Sequence, residues 1–110
     1  DTVNGIKVLK VSFKDKSIDE LKEIVDRGKE KLQSGIIVLG SNNEKAIFVA
    51  GVTKDLVSKV KAGDIVKVAA QVTGGNGGGR PDFAQAGGKD GNAVEQAVEK
   101  AFEYITSQLA

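Results

Sequence analysis

Five of the six residues in Gly74-Gly75-Asn76-Gly77-Gly78-Gly79 are glycine, and the chain's only proline, Pro81, follows after Arg80. No other stretch limits the fold as much. Glycine loses more conformational freedom on folding than any other residue. A run like this persists only where the backbone needs positive φ or where something must approach it closely. On composition alone two readings stay open. The run is a flexible hinge between a helix and a strand, or it is a concavity of successive exposed N–H groups that holds an anion, phosphate being the usual guest. Arg80 adjoins it with a planar fork suited to phosphate or to a base edge, and Lys89 is expected within reach of the same end. Nucleotide loops fit poorly, because no Lys-Ser or Lys-Thr follows the glycines. Counting G-x-G-x-x-G from Gly75 and Gly77 also puts Arg80 where the third glycine belongs.

The run divides a mixed body from a final strand and helix. Gly5 to Phe13 alternates, with Leu9, Val11 and Phe13 on the better apolar face, which suits a sheet covered on one side. Ser17-Ile18-Asp19-Glu20 is a capping box. The helix it opens places Ile18, Leu21, Val25, Gly28 and Leu32 on one stripe. Gly28 implies close packing against the sheet, and Gly35 is expected to end the helix in a left-handed cap. Ile36 to Leu39 and Ala46 to Ala50 are nearly continuous apolar runs, as in the buried centre of a sheet, joined by a turn at Gly40 to Glu44. Asp55 to Lys61 reads as a short helix stopped at Ala62-Gly63. Asp64 then caps a second, with Ile65, Val68, Ala69 and Val72 inward. Asp82 to Gly88 is a small-residue strand that another backbone approaches. Asn92 to Glu95 is a second capping box. The last helix buries Val94, Val98, Ala101, Phe102, Ile105 and Leu109 and shows Glu95, Glu99 and Glu103 as an acidic stripe. The expected class is α/β, a single domain with a mixed sheet packed with helices, in the order β-α-β-β-α-α-β-α.

With 110 residues the chain is expected to form one domain. Apolar residues make up 40% and aromatics 5%, so the core is aliphatic. The chain starts at Asp1 and has no Met, which suggests a piece, residues 1–110, excised from something longer. No signal peptide is visible, and no run approaches the ~20 apolar residues that cross a bilayer. The absence of Cys fits a cytoplasmic setting. Cys and His are both missing, so the chain holds no thiolate nucleophile, imidazole base or N/S metal site. No catalytic residue, cofactor or metal is assigned, and the chain is expected to be no enzyme in isolation.

Gly77-Gly78-Gly79-Arg80-Pro81-Asp82-Phe83-Ala84-Gln85-Ala86-Gly87-Gly88 resembles the GGGRPDxAQAGG signature of the C-terminal domain of alanyl-tRNA synthetases, within the DHH-associated family. The likeness extends to Ser34-Gly35-Ile36-Ile37-Val38-Leu39-Gly40 and Ala62-Gly63-Asp64-Ile65-Val66. Phosphoesterase members of that family usually carry a His after the glycines, so Arg80 points to the synthetase branch. The resemblance implies a non-catalytic tRNA-binding module that contacts the outer corner of tRNA, the elbow, and helps bring aminoacylation and editing together. Its implied partners are tRNA and the rest of the synthetase chain, especially the editing domain. Homodimerisation is also implied, mostly through an upstream helical segment outside this sequence.

The candidate RNA-binding residues are Gly77, Gly78, Gly79, Arg80, Lys89, Lys61 and Lys67. Lys54 and Lys59 could extend the basic face, or all four of these helix lysines could be an ordinary solvated surface. Only Phe83 and Tyr104 are candidates for a base contact, because Phe13, Phe48 and Phe102 follow core patterns. A net charge of +1 is low for an autonomous RNA binder. The competing functions are therefore an interdomain docking or dimerisation module, and the substrate-binding half of a DHH-type phosphoesterase.

Overall fold

The computed structural model describes residues 2–3 and 5–109. The chain opens with a short strand β1 (Thr2–Val3), then β2 (Ile6–Lys14), helix α1 (Ile18–Leu32), β3 (Gly35–Asn43) and β4 (Lys45–Val52). After a 3-10 turn (Lys54–Leu56) come α2 (Ala62–Val72), β5 (Asn76–Gly79) and β6 (Phe83–Gly88). A second 3-10 turn (Gly91–Ala93) leads into α3 (Val94–Leu109). The sheet is mixed, in the order β1-β2-β3-β4-β6-β5. Among the described residues β2 and β3 alone run parallel, joined through α1; every other pairing is antiparallel.

The continuous apolar runs are strands buried on both faces. Ile36, Val38, Phe48, Ala50 and Val52 face α2 and α3, whereas Ile37, Leu39 and Val49 face Leu21 and Val25 of α1. The sheet is thus covered on both sides, against the one-sided expectation from β2. The even face of β2 supplies Val8, which is 1% exposed, while Leu9 on the supposed inner face stays 40% exposed. The reason is that α1 sits over β3 and β4 and leaves the outer end of β2 open.

The α1 capping box forms as expected. Ser17 Oγ accepts from the Glu20 amide, and Glu20 Oε1 accepts from the Ser17 amide. A Cβ on Gly28 would collide with Ile37 Cδ1, so this glycine lets the helix settle on the sheet. The helix ends differently, however. Gln33 takes the positive φ of 60°, and Gly35 already belongs to β3.

Several other local expectations give way to tertiary contacts. The glycine-rich run is not simply a loop, since its last four residues, Asn76–Gly79, form β5, an edge strand paired with β6. The strand count therefore exceeds the expected order by β1 and β5. The turn between β3 and β4 narrows to Glu44, φ 63°, because pairing continues to Asn43↔Lys45. Residues 55–61 hold a 3-10 turn, not a helix. Ala62 and Gly63 start α2 instead of stopping a helix, and neither Asp64 nor any other side chain caps it; the Ala62 amide bonds to the Pro81 carbonyl. Val68 and Val72 are half-buried, and Val66 and Ala70 are buried in their place. Before α3 a 3-10 turn intervenes, capped by Asp90, whose side chain accepts from the Asn92 amide, so Asn92 lies inside that turn and α3 starts at Val94. Phe13 and Phe102 are half-buried at the rim of the core.

Candidate functional site

The β5–β6 hairpin lies at one edge of the sheet, with Gly79 opposite Ala84 and the turn Arg80 to Phe83 between them. Its tightness comes from the backbone. The Arg80 amide donates to the Phe83 carbonyl at 3.0 Å. The Pro81 carbonyl accepts from Ala62 N at 2.8 Å, at the start of α2. The Asp82 carbonyl accepts from Val52 N at 2.9 Å and from Lys29 Nζ at 3.2 Å. The turn is thereby held by β4, α1 and α2 together.

Most glycines of the hairpin answer to this packing. A Cβ on Gly75 would strike the Gly87 carbonyl, one on Gly77 the Ala86 backbone, and one on Gly79 would come 2.8 Å from Ala84 Cα. Gly78 is different, because a Cβ there would meet nothing within 4 Å and its φ is not positive. No requirement of the fold explains a glycine at this position. The strand also rules out the converging cradle of amides expected of a loop. In an extended strand successive N–H groups point to opposite sides, so Gly77, Gly78 and Gly79 offer a smooth backbone surface, not an anion nest.

Arg80 projects from the pinned turn with its side chain 76% exposed. Its Nε lies 3.5 Å from Asp82 Oδ1, an exposed and long ion pair of the kind that contributes little. Asp90, the other acid within sequence reach, is engaged with Asn92. Lys61 is exposed and immediately precedes Ala62, whose amide holds Pro81, so it joins Arg80 at this corner. Lys67 is exposed farther along α2, on the opposite side of the sheet from α1. Lys89 does not share the corner of Arg80. It follows the far end of β6, about 20 Å away at the ~3.3 Å rise of a strand, where its amide bonds to Thr73. Among the described residues no ion pair involves Lys61, Lys67, Lys89, Lys54 or Lys59.

The sequence pattern gives no hint of Lys29, which reaches from α1 to the Asp82 carbonyl beside Arg80. Its signal is spacing alone: it follows Val25 by one helical turn, and both lie over Gly51. Phe83 is half-buried against the α1 cluster. Tyr104 is half-buried on α3, where burial, with Asp64 adding to it, raises its pKa. Asp55 is held below the usual carboxylate range by hydrogen bonds from Ser34 and Thr53. These bonds tie the end of α1 to the chain after β4 and place no proton donor near Arg80. A separate crevice, lined by Ser12, Lys14, Asn42, Asn92 and Glu95, opens where β2 and β3 end beside the start of α3. Among the described residues no group of three acidic, His or Cys side chains could hold a metal ion, and no helix is long and apolar enough to cross a membrane.

Residues 5–107 match the family model of the DHHA1 domain. The chain is 49% identical over 109 residues to the alanine–tRNA ligase of Fusobacterium nucleatum, covering 99% of this chain and 13% of that protein. It is 50% identical over 109 residues to the alanine–tRNA ligase of Alkaliphilus oremlandii, covering 97% of this chain and 12% of that one. The chain thus spans about an eighth of the length of the curated relatives it matches. The C-Ala domain of Aquifex aeolicus alanyl-tRNA synthetase, solved by crystallography, superposes with a TM-score of 0.85 at 28% identity, with 96% of each chain covered.

Proposed function

The chain belongs to the DHHA1 domain family, and from that premise we propose that it is a tRNA-binding accessory module of an alanyl-tRNA synthetase. In this reading it contacts the elbow of tRNA and helps aminoacylation and editing act on one molecule. Its other partner is the rest of the synthetase chain, the editing domain above all, in the cytoplasm. It contributes no catalytic group of its own. The observation that carries the reading is Arg80, an exposed guanidinium on a turn anchored to three elements, with Lys61 beside it. A planar fork on a fixed base suits phosphate recognition. Gly77, Gly78 and Gly79 let a backbone come near, while Lys67 and Lys89 supply outlying charge. Recognition is then by backbone and shape, since folded RNA shows few readable edges except where bases are splayed.

The test is a titration with tRNA at two salt concentrations, comparing wild type with Arg80→Ala. Wild-type affinity should fall as salt rises, with a slope near −0.9 per duplex phosphate neutralised. Arg80→Ala should weaken all tRNAs about equally, by ~1–3 kcal/mol. Its stability should change by no more than about 0.5 kcal/mol, because the Asp82 pair is exposed and long. Unchanged affinity with a clear loss of stability would assign Arg80 to structure. Salt-independent association with the synthetase body, without tRNA binding, would favour the docking or dimerisation function.

A further inference from the structure

The two edges of the sheet are finished differently. At one edge lies β5, in its hairpin with β6. At the other, β1 pairs with Ile6 and Lys7 of β2 and no farther. From Leu9 to Lys14 no strand among the described residues lies on the outer side of β2. The Asp15 amide donates inward, to Asn42 of β3. Alternation along the strand then turns the N–H and C=O groups of Lys10 and Ser12 outward. Proteins commonly protect such an edge with a projecting lysine. Lys10 does not project. Its Nζ bonds to Glu99 Oε1 at 2.6 Å and lies 4.2 Å from the centre of the Phe102 ring, folded onto α3.

The same edge presents an apolar row. Leu9, Val11 and Phe13 share the α1 side; Leu9 is exposed, and Val11 and Phe13 are half-buried. A shallow groove between Leu9 and α1 is lined by Ile24 and Gly28, with Arg27, Glu30 and Lys31 at its margin. On the α3 side Lys10 and Ser12 adjoin Glu95 and Glu99. Both signs are interspersed on each side, so no strong field repels a second copy. Antiparallel registers of β2 against another β2, centred on Lys10, on Ser12 or on Val11, differ in what they oppose. Centring on Lys10 sets it against itself, and centring on Ser12 sets Lys10 against Lys14. Centring on Val11 places Leu9 against Phe13 and Lys10 against Ser12, and no like charges meet.

We propose that β2 is a self-association edge: two copies of this chain pair antiparallel about Val11 and join their sheets into one. Leu9, Val11 and Phe13 of both copies then form one apolar band on the α1 side. Lys10 exchanges backbone hydrogen bonds with the partner's Ser12, and the partner's Lys10 does so in return. The contact uses the same patch on both copies, as a closed dimer requires. It needs no helical segment upstream of the chain, and it leaves the β5–β6 hairpin free at the opposite edge. It is independent of the tRNA-binding function.

The test exploits the absence of cysteine from the 110-residue chain. Across the proposed axis the two Val11 Cα atoms stand about 4.5 Å apart, the spacing of a non-hydrogen-bonded pair and within reach of a disulfide. Leu9 is opposed by the partner's Phe13, so the two Leu9 Cα atoms lie roughly 13 Å apart. Under mild oxidation Val11→Cys should therefore form a covalent dimer roughly tenfold faster than Leu9→Cys, or more, although Leu9 is the more exposed site. By sedimentation, wild type should show a concentration-dependent equilibrium between monomer and dimer. Ser12→Pro removes an outward N–H at an edge position that tolerates proline, and should raise the dissociation constant roughly tenfold or more. Cross-linking of Leu9→Cys as fast as that of Val11→Cys overturns the proposal, since random collision favours the more exposed thiol. So does a wild-type chain that stays monomeric up to about 1 mM, or a folded Ser12→Pro that dimerises as wild type does. If Ser12→Pro does not fold, the cysteine pair and the wild-type equilibrium decide.

Discussion

The sheet has two halves built on different rules. In β2, β3 and β4 the strands carry branched aliphatics and Phe48, and helices press on both faces. In β6 and β5 the strands carry mostly alanine and glycine, α2 covers one face, and the other is open beyond Phe83, which packs at the edge of the α1 cluster. Side-chain volume follows cover. Where two layers must be filled, the sequence supplies Ile, Val and Leu. Where one layer exists and two backbones lie close, it supplies residues that take no space. Loss of volume should therefore be costly in the first half, and gain of volume costly in the second.

The sharpest way to break this contrast is Phe48→Ala. Phe48 is the largest fully buried side chain among the described residues, and its truncation should cost about 3–5 kcal/mol, read as a lower urea midpoint. A cost near 1 kcal/mol, roughly a third of the usual loss, would mean that the α2–α3 layer collapses into the gap and that the first half is less tightly filled than described.

The second half is tested by a pair of glycines one residue apart. Gly77→Ala drives a methyl into Ala86 and should destabilise by more than about 1 kcal/mol. Gly78→Ala meets open space and should be neutral or stabilise by about 0.4–1 kcal/mol. Thermal melts of both variants measure the difference. Equal destabilisation would show that the hairpin needs glycine at Gly78 for its own folding, which would remove the main argument for close approach by a partner.

The smallest effect concerns the ends of α1 and involves acid. Glu20 is held below the ordinary carboxylate range by hydrogen bonding to Ser17, chiefly its backbone amide; Asp55 is held there by Ser34 and then Thr53. Both folded pKa values are depressed, so their contribution to stability is present above the unfolded carboxylate pKa of about 4 and is lost as pH falls through the lower folded values. Both groups fasten the first half of the sheet, one at each end of α1. Between about pH 5 and pH 3, amide protection in α1 should therefore drop further than in β6, as hydrogen exchange would report. Ser17→Ala should cost about 1 kcal/mol at neutral pH and flatten this acid dependence.

The same contrast explains which parts of the molecule the sequence discloses. Apolar runs such as Ile36 to Leu39, the box at Ser17 and Glu20, and the stripes of the first and last helices are signals carried by side chains, and each of these elements forms where its pattern lies. Alternation cannot be seen in a strand made of glycine, so β5 reads as a loop. Capping by a distant carbonyl is equally invisible: nothing near Ala62 in sequence announces that Pro81 will receive its amide. For the candidate site, the residue types are legible and their arrangement is not. Arg80 and Lys89 look adjacent through nine positions of chain, yet an extended strand holds them apart. Lys29 looks like an ordinary surface lysine until α1 brings it to the hairpin.

The turn at Pro81 and Asp82 has one further consequence. Its two carbonyls are engaged by β4, α1 and α2 as part of folding, so Arg80 stands on backbone that is already ordered. A loose glycine hinge would have to give up conformational entropy each time a partner docked, and that loss would be subtracted from every contact made. Here the loss is incurred once, when the domain folds. On contact the exposed Arg80 then has only its own side-chain freedom to give up, and association need not wait for a loop to find its shape.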